Sequence, residues 1–275
     1  MVGRRGRLRR SAGSTGRDRA LKRAVDVLAS SVGLVAASPV LLPVIFLVWR
    51  QDHNSPFYIA PRVGEGGTEF RMVKMRSMVI DAALSGVDST SASDMRITPV
   101  GFFIRRYKLD ELTQLWNVLK GEMSLVGPRP NVRRETDLYT PVERELLSAR
   151  PGITDFASIV FSDEGEILDG HTDPDIAYHQ LIRPGKNRLG LFYVHHASFA
   201  LDIRLVALTL VAIGSRSMAI RGVVKLLEGL DADPELVAIA SRSEPLVPSP
   251  PPGSEFIVTA RDGSLDGAEP ILTAS

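Results

Sequence analysis

The sequence predicts an α+β fold that is mainly helical, with short strands and an N-terminal helical segment in a membrane. An uncharged run of 23 residues, Val27–Trp49, is long enough to cross a bilayer as a helix. Phe70–Val73 follows a glycine-rich turn and is strand-like. Apolar residues at three- and four-residue spacing predict one amphipathic helix, and they are Leu109, Leu112, Leu115, Trp116 and Leu119.

The composition limits the classes of site that the chain can form. Its 275 residues suffice for one good-sized domain with tails, and a net charge of +1 demands no acidic partner. The absence of cysteine excludes disulfides, thiolate metal sites and thiol nucleophiles, and it fits a reducing compartment. The adjacent histidines His195 and His196 point to different sides of either regular element, so a surface or interfacial role is favoured over a metal site.

The N-terminal segment, residues 1–21, is predicted to be a disordered basic arm. Residues 1–23 carry nine Lys or Arg and one acid, Asp18, with glycine and serine but few apolar residues. A basic arm can bind nucleic acid, but this one has no interleaved aromatic residue and no nucleic-acid fold signature. Because a hydrophobic segment follows, the arm favours a cytoplasmic membrane surface rich in anionic lipid.

Two topologies remain open for the segment at residues 22–50. Its apolar run is too long for a cleaved secretory signal and lacks a clear cleavage site, so one spanning helix is the simple interpretation. Pro39 in the middle, followed by Pro43, should kink that helix sharply. Both flanks are basic, and positive charge marks the cytoplasmic side. The residues alone therefore leave a spanning helix and a re-entrant helix-break-helix equally open.

The stretch Asn54–Met78 is predicted to form turns and short strands that carry two bases. Lys74 and Arg76 alternate with apolar neighbours, as on a half-buried strand. On the residues alone, these bases are two solvated side chains. The following stretch, Ile80–Ser93, is polar and is predicted to be a mobile connection.

An adjacent pair of carboxylates gives the chain its clearest chemical pattern. Asp110 and Glu111 lie on the predicted amphipathic helix, with Arg105 five residues before Asp110. Arg129 lies in the turn Pro128–Pro130. Carboxylates among arginines can bind a divalent metal and a phosphorylated ligand. The alternative is a solvated charged face with ordinary surface ion pairs, which are common and weak.

The C-terminal part of the chain is predicted to hold two helices and a tail. Asn131–Ala149 has apolar residues at helical spacing among Arg and Glu, as in a surface helix. Ala197–Ala212 is mostly apolar but carries Asp202 and Arg204, which favours a helix in the membrane interface or capping the core over a spanning one. The proline-rich extension at residues 215–275 is predicted to be mostly flexible from about residue 232.

Three motifs together resemble one protein family. Lys74–Met78 reads K-x-R-[ST]-M, Asp94–Gly101 reads D-x-R-I-T-x-x-G, and Leu109–Pro130 is the long ungapped block L-D-E-L-x-Q-L-x-N-V-L-x-G-x-M-S-[LF]-V-G-P-R-P. Over roughly Lys22–Ala212 the chain resembles the bacterial sugar transferase family, the monotopic polyprenyl-phosphate phosphoglycosyl transferases. The resemblance implies a re-entrant hairpin broken at Ser38-Pro39.

The resemblance also implies a location and a reaction. A catalytic domain at residues 51–214 would lie on the cytoplasmic face of the bacterial inner membrane. It would transfer a sugar-1-phosphate from a nucleotide sugar, usually UDP-linked, to polyprenyl phosphate and release UMP. This is the first membrane step of polysaccharide or glycoconjugate synthesis. No nucleic acid is expected as a partner, and a homo-oligomer is left open.

The residues suit the roles that the resemblance assigns. Asp110 is the expected nucleophile and Mg²⁺ contact, because a carboxylate can attack phosphorus and form an acyl phosphate. Glu111 is the second carboxylate, which assists metal or proton handling. The expected substrate-binding residues are Lys74, Arg76, Arg105, Pro128, Arg129 and Pro130.

Some residues depart from the family pattern. Thr113 and Gly190 stand where many members have proline and aspartate, and Ile59–Gly64 lacks a common Gln-Glu pair. The segment Asp155–Glu166 also differs and ends in an acidic run, which leaves the sugar undetermined. Two rival functions remain, namely a non-catalytic membrane scaffold and a membrane-tethered nucleotide-sugar hydrolase.

Overall fold

The computed structural model describes residues 16–85 and 94–260. Within these ranges the chain is mainly helical with four short strands, which confirms the predicted α+β class. The helices are α1 (Gly16–Asp52), α2 (Pro99–Arg106), α3 (Leu109–Leu112), α4 (Leu115–Lys120), α5 (Arg133–Asp137), α6 (Phe156–Val160), α7 (Glu164–Leu168), α8 (Pro174–Ala177), α9 (Arg183–His196), α10 (Phe199–Gly214), α11 (Arg216–Glu228) and α12 (Pro234–Ser241). The strands are β1 (Phe57–Val63), β2 (Glu69–Met75), β3 (Ser124–Val126) and β4 (Gly152–Thr154). Short 3₁₀ segments occupy Glu65–Gly67, Ile80–Ser85 and Glu143–Ser148, and a π-helical turn occupies Tyr178–Ile182.

Among the described residues, α1 is the one helix long and apolar enough to cross a membrane. The helix continues through Ser38, Pro39 and Pro43 without interruption. Pro39 has no N–H for the carbonyl of Val35, and the Ser38 hydroxyl donates to that carbonyl instead, at 2.8 Å. The structure therefore has no interruption of the helix at Ser38-Pro39, and the re-entrant path stays a prediction.

Two small sheets frame the centre of the molecule. β1 and β2 form an antiparallel hairpin in which Phe57 pairs with Met75 and Val63 with Glu69. This confirms the strand predicted around Phe70–Val73. β3 and β4 pair in parallel, in spite of the long connection between them. The β1–β2 pair ends beside α3, the helix that carries the two carboxylates. The β3–β4 pair ends beside the turn that follows β3. The two sheets therefore position the candidate site.

The buried apolar residues form one large core and smaller clusters. The largest core joins α6, α9, α10, α11 and α12, and its fully buried members include Phe156, Leu189 and Leu205. A second cluster packs Leu41 and Val48 of α1 against β2, α2 and α3. Each such fully buried side chain stabilises the fold by roughly 1.5–3 kcal/mol. The second half of α1 is therefore part of the core behind α3.

The C-terminal extension is folded where a flexible tail was predicted. α12 buries Leu236, and the proline-rich stretch after it packs back on the domain. Ser249 donates its N–H to the Gln180 carbonyl at 3.1 Å, and the Gln180 side chain donates to the Val258 carbonyl at 2.8 Å. An extended proline-rich chain has no hydrogen bonds of its own, so these contacts supply them. The prediction of flexibility from about residue 232 is therefore wrong as far as Ala260.

Four further expectations can be set against the structure. α1 begins at Gly16, inside the predicted arm, whose residues 1–15 lie outside the described part. The helix predicted at Asn131–Ala149 is instead α5 and a 3₁₀ segment, separated by Pro141, which cannot continue a helix. Most of the connection at Ile80–Ser93 also lies outside the described residues. The helix predicted at Ala197–Ala212 is confirmed as α10.

Candidate active site

A sharp turn between α2 and α3 presents the two carboxylates. Lys108 adopts the left-handed conformation, with φ of 52°, which redirects the chain within one residue. Such a conformation is strained for a lysine and is common near functional sites. The Glu111 N–H then donates to the Lys108 carbonyl at 3.1 Å. Asp110 and Glu111 consequently lie in the first turn of α3.

The single amphipathic helix predicted over Leu109–Leu119 is wrong. A turn at Thr113-Gln114 separates α3 from α4. The Thr113 hydroxyl donates to the Asp110 carbonyl at 2.9 Å, a side-chain bond that competes with regular helix geometry. Leu115 stays buried as predicted, but Trp116 is 53% exposed.

The Asp110 carboxylate is buried next to two of the predicted cations. It is only 4% exposed, and its Oδ2 lies 2.8 Å from Nζ of Lys74 on β2. Arg105 on α2 donates from Nε to the Ser77 hydroxyl at 3.0 Å. Burial lowers the pKa of the Arg105 guanidinium, and the charges of Asp110 and Asp94 oppose that change. The structure therefore brings Lys74 and Arg105 to Asp110 from two different elements.

Glu111 forms a second ion pair at the same place. Its Oε1 lies 3.0 Å from Nη2 of Arg129. Burial acts to raise the pKa of Glu111, but the charges of Arg129, Lys108 and Lys74 outweigh it and lower that pKa to about 2. Glu111 in turn raises the pKa of Arg129. Both side chains are thus charged at neutral pH.

Two close backbone approaches hold the Pro128–Pro130 turn in place. A Cβ on Gly127 would lie 2.2 Å from the Arg150 carbonyl oxygen, and one on Gly152 would lie 2.0 Å from the Gly127 nitrogen. Only glycine fits at such contacts. The Gly152 N–H donates to the Pro128 carbonyl at 3.0 Å. The β3–β4 pair therefore fixes where Arg129 leaves the backbone.

A shallow hollow lies beside this turn. Its lining includes Gly64, Arg129, Asn131, Tyr139 and Pro151. Asn131 donates from its side chain to the Tyr139 hydroxyl at 2.7 Å, which closes one side. A ligand that entered this hollow would meet the Arg129 guanidinium.

The structure places Arg76 apart from the other predicted site residues. Its guanidinium forms a two-point ion pair with Asp52 at the end of α1, with Nη2 and Oδ1 2.7 Å apart. Its Nε donates to the Ser55 carbonyl at 2.8 Å. Arg76 follows the last residue of β2, so it joins α1 to the hairpin. The substrate-binding role of Arg76 stays a prediction.

Sequence reasoning missed several charged residues near Arg129. Glu164 in the first turn of α7 forms an ion pair with Lys186 of α9. Arg62, at the end of β1, lies within electrostatic reach of Arg129, and burial lowers the pKa of Arg62. The acidic run that contains Glu164 was visible in the sequence, but its distant partner at position 186 had no local signal.

The donor set is compatible with a magnesium ion that a phosphorylated ligand helps to hold. The described residues contain no group of three or more His, Asp or Glu side chains that could bind a metal by themselves. Asp110 and Glu111 do provide two hard carboxylates, and Mg²⁺ in proteins is often held by one or two carboxylates together with substrate phosphates. The residues therefore fit the predicted Mg²⁺ on the condition that the ligand supplies further oxygens.

The carboxylate motif lies inside a region that matches a known family model. The family model described as bacterial sugar transferase matches residues 17–216. The match covers most of the chain, and the chain therefore belongs to the bacterial sugar transferase family.

Several named relatives show what this family includes. The chain is 38% identical over 197 residues to undecaprenyl-phosphate glucose phosphotransferase of Komagataeibacter xylinus, covering 69% of this chain and 35% of that protein. It is 37% identical over 143 residues to UDP-N-acetylgalactosamine-undecaprenyl-phosphate N-acetylgalactosaminephosphotransferase of Aeromonas hydrophila, covering 51% and 34%. It is 39% identical over 148 residues to exopolysaccharide production protein ExoY of Rhizobium meliloti, covering 48% and 66%. The chain thus spans from about a third to about two thirds of the length of these curated relatives.

Proposed function

We propose that this protein transfers a sugar-1-phosphate from a UDP-sugar to polyprenyl phosphate at the cytoplasmic membrane face and releases UMP. The observation that carries the proposal is the pair of adjacent carboxylates, each ion-paired to a cation from another element: Asp110 to Lys74 and Glu111 to Arg129. Two relatives are named as phosphotransferases acting on undecaprenyl phosphate, and a third as an exopolysaccharide production protein. The reaction would begin polysaccharide or glycoconjugate synthesis.

The reaction proceeds in two steps, and the carboxylate of Asp110 is the nucleophile in the first. One oxygen attacks the phosphorus that carries the sugar, and the bond from that phosphorus to the bridging oxygen breaks, so UMP leaves with the bond electrons. A phosphate oxygen of the polyprenyl phosphate then attacks the same phosphorus. The acyl phosphate bond breaks, and the Asp110 carboxylate is restored.

The cations hold the negative charge of the donor and of the transition state. Arg129 can grip phosphate oxygens with two parallel N–H groups, which lysine cannot do. Lys74 and Arg105 lie on the Asp110 side of the site and offset charge as the diphosphate breaks. A bound Mg²⁺, held by Asp110 and Glu111 together with the donor phosphates, would neutralise more of that charge.

Contacts at both ends of α1 support a path that keeps both ends of the helix on one face of the membrane, as a re-entrant path does. Near the start, Lys22 Nζ lies 2.5 Å from Asp202 Oδ2 on α10, and the Leu125 N–H donates to Asp26 at 3.1 Å. Near the end, Val48 is buried in the cluster behind α3. A helix that spans the bilayer puts its ends on opposite faces, where one domain cannot contact both. The domain would thus face a soluble donor and a lipid acceptor at one surface.

Cysteine labelling tests this topology, since the chain has no cysteine of its own. Single cysteines at Ser14 and Ser254 should both react with a membrane-impermeant reagent on the cytoplasmic side only. In Pro39→Ala we expect the helix to straighten and to move Ser254 to the far side, because the mid-helix proline is gone. Labelling of the unmodified chain from opposite faces would contradict the re-entrant path.

A UMP-release assay tests the reaction. The full chain in detergent or nanodiscs would be incubated with Mg²⁺, undecaprenyl phosphate and each of several UDP-sugars. We expect UMP release that needs the lipid phosphate for more than one turnover. Continuous UMP release without the lipid would indicate a hydrolase, and no release with any donor would favour a scaffold.

A further inference from the structure

A third carboxylate lies beyond the two ion pairs of the proposed site. Glu164 is ion-paired to Lys186, and its side chain remains 34% exposed. Burial acts to raise the pKa of Glu164, but the charges of Lys186, Arg129 and Lys74 outweigh it and lower that pKa. Glu164 is therefore an accessible anion within electrostatic reach of both cations that would hold the donor phosphates.

An aromatic ring completes this group. Nζ of Lys186 lies 5.4 Å from the ring centroid of Tyr178, within cation–π distance. Burial raises the pKa of Tyr178, and the charge of Glu164 adds to that effect, so the hydroxyl stays protonated. A carboxylate accepts hydrogen bonds from hydroxyl groups, an ammonium donates them, and an aromatic face packs on C–H groups. This combination suits an uncharged, hydroxyl-rich ligand such as a sugar and disfavours a second phosphate.

The residue next to Glu164 is held by the C-terminal extension. Asp163 Oδ1 lies 2.9 Å from Arg216 of α11, and its Oδ2 lies 3.2 Å from Arg242, which follows α12. Arg242 itself has φ of 52°, and its guanidinium lies 5.2 Å from the Phe161 ring centroid. The matched family region ends at residue 216, so Arg242 and α12 lie outside it.

The C-terminal extension also packs beside Lys186, the partner of Glu164 in the ion pair. A Cβ on Gly185, the neighbour of Lys186, would lie 2.7 Å from the Phe161 ring and 3.1 Å from Ile239 of α12. No side chain fits there, so α12 sits directly against the backbone that carries Lys186. Glu164 is consequently positioned through Asp163, which contacts Arg242. Lys186 is positioned through Gly185, which lies against α12.

We propose that Glu164, Lys186 and Tyr178 bind the sugar hydroxyls of the donor, and that Arg242 positions Glu164 through Asp163. This rests on the proposed transferase function. Glu164 is then a specificity-determining residue that touches the sugar, and Arg242 is a positioning residue. Arg242 in the C-terminal extension would thereby contribute to the choice of donor sugar, although it lies outside the region matched by the family model.

The test compares selectivity among donors. The full-length enzyme with undecaprenyl phosphate and Mg²⁺ would be assayed for UMP release with UDP-glucose, UDP-galactose, UDP-N-acetylglucosamine and UDP-N-acetylgalactosamine. In Glu164→Gln we expect the ratio of kcat/KM between the best donor and the next to fall roughly tenfold, because a hydrogen bond to a charged acceptor is replaced by a weaker one. Inhibition by UDP alone should not change, since UDP lacks the sugar.

The positioning role has its own variants. Arg242→Met should shift the same ratio in the same direction by about threefold, and Arg242→Lys should recover most of the wild-type ratio because it keeps an ion pair with Asp163. Arg188→Met is the matched control: it removes the ion pair between α9 and Glu235 of α12 without a contact to Asp163. We expect that control to keep the wild-type ratio.

The outcomes separate this inference from the proposed function. An active wild-type enzyme whose donor ratio is unchanged by Glu164→Gln overturns the sugar site and leaves the transferase function intact. Equal shifts in Arg242→Met and Arg188→Met overturn the positioning role. No UMP release by the wild-type enzyme with any donor overturns the function and the sugar site together. If Arg242→Met does not fold, Glu164→Gln and Arg242→Lys still decide the question.

Discussion

The cluster around Asp110 and the network around Glu143 contain the same kinds of residue but differ in access to solvent. Glu143 is fully buried, and its oxygens accept hydrogen bonds from Arg183, Asn187 and the Thr140 N–H. The side chain of Glu111 is 21% exposed, with its Oε1 3.0 Å from one guanidinium nitrogen.

This difference in solvent access separates ion pairs that stabilise the fold from ion pairs that can bind a ligand. The Arg183 side chain is 3% exposed and that of Arg129 is 35% exposed. A sealed and fully hydrogen-bonded pair has no capacity left for a ligand, and breaking it leaves a buried charge without a partner. An open pair keeps donors and acceptors that a diphosphate can use. Substitutions in the two clusters should therefore damage different properties.

The largest expected effect is on turnover, in Asp110→Asn. We expect turnover to fall by about four orders of magnitude with little change in folding, because the substitution removes the nucleophile of the covalent route. UMP release measures the loss. Intact mass and peptide mapping after incubation with Mg²⁺ and donor, without lipid, should show a sugar phosphate on Asp110 of the wild-type enzyme.

Glu111→Gln is the control for the nucleophile. It should also be badly impaired, but the adduct should still map to Asp110. A fully active Asp110→Asn enzyme, or an adduct mapped reproducibly to another residue, would remove Asp110 from the role of nucleophile.

In the sealed network around Glu143, Arg183→Met should lower stability and leave turnover unchanged, which is the reverse of the effect of Asp110→Asn. Removing one partner of a buried pair should destabilise the fold by about 3–5 kcal/mol, while turnover per folded molecule stays near wild type. Denaturant unfolding in a fixed detergent measures the first quantity. Arg133→Met, which removes an exposed ion pair with Glu69, should cost less than about 1 kcal/mol. Equal losses in the two variants would contradict the distinction between sealed and open pairs.

The sealed network should also make stability depend on pH through His179. Burial and the charge of Arg183 lower the pKa of His179 to about 4, although Asp175 and Asp173 oppose this and Glu135 lies 3.6 Å away. The unfolded chain, with a histidine pKa of about 6.5, binds the proton first as the pH falls. Stability from this residue is therefore complete above pH 6.5 and declines toward pH 4.

We expect a loss of about 2 kcal/mol between pH 7.5 and pH 5 from His179 alone. His179→Gln should remove that part of the pH dependence, as measured by unfolding at both pH values. An unchanged pH profile in the variant would show that His179 is not held neutral. His196, which is exposed, provides the matched control substitution His196→Gln.

The smallest effect is expected in the open pair with Arg129→Lys. The charge is kept, but the planar two-point grip is lost, so donor KM should rise about tenfold without a measurable change in stability. Arg133→Lys, in another guanidinium pair, should leave KM unchanged. Wild-type donor affinity in Arg129→Lys would remove Arg129 from the phosphate-binding set.

The sequence predicted the parts of the fold that local patterns encode. An apolar run, an alternating strand and a glycine-rich turn are local signals, and α1, β2 and the turn before β2 followed from them. The roles of Asp110, Glu111, Lys74 and Arg129 were expected from the family resemblance. The structure places these four residues in two ion pairs, Asp110 with Lys74 and Glu111 with Arg129.

What the sequence did not predict depends on contacts between distant residues. The predicted helix is interrupted at Thr113, where the side-chain hydroxyl donates a hydrogen bond to a backbone carbonyl. Helix propensity alone does not reveal that bond. Arg76 was grouped with Lys74 by spacing, but Asp52, far along the chain, sets its position. The proline-rich tail looked unstructured because its hydrogen-bond partners, such as Gln180, lie on other elements.

The contacts at the start of α1 make this apolar helix inseparable from the domain. Arg23 donates to the carbonyl of Leu119 at 2.7 Å, near the end of α4, and Asp26 accepts the N–H of Leu125 on β3. A protein cut after Asp52 would leave the Leu119 carbonyl and the Leu125 N–H without these partners and would expose the apolar side chains behind α3. The second half of α1 belongs to the packing of the domain itself, so removing this first helix would leave the rest of the domain without one side of its core.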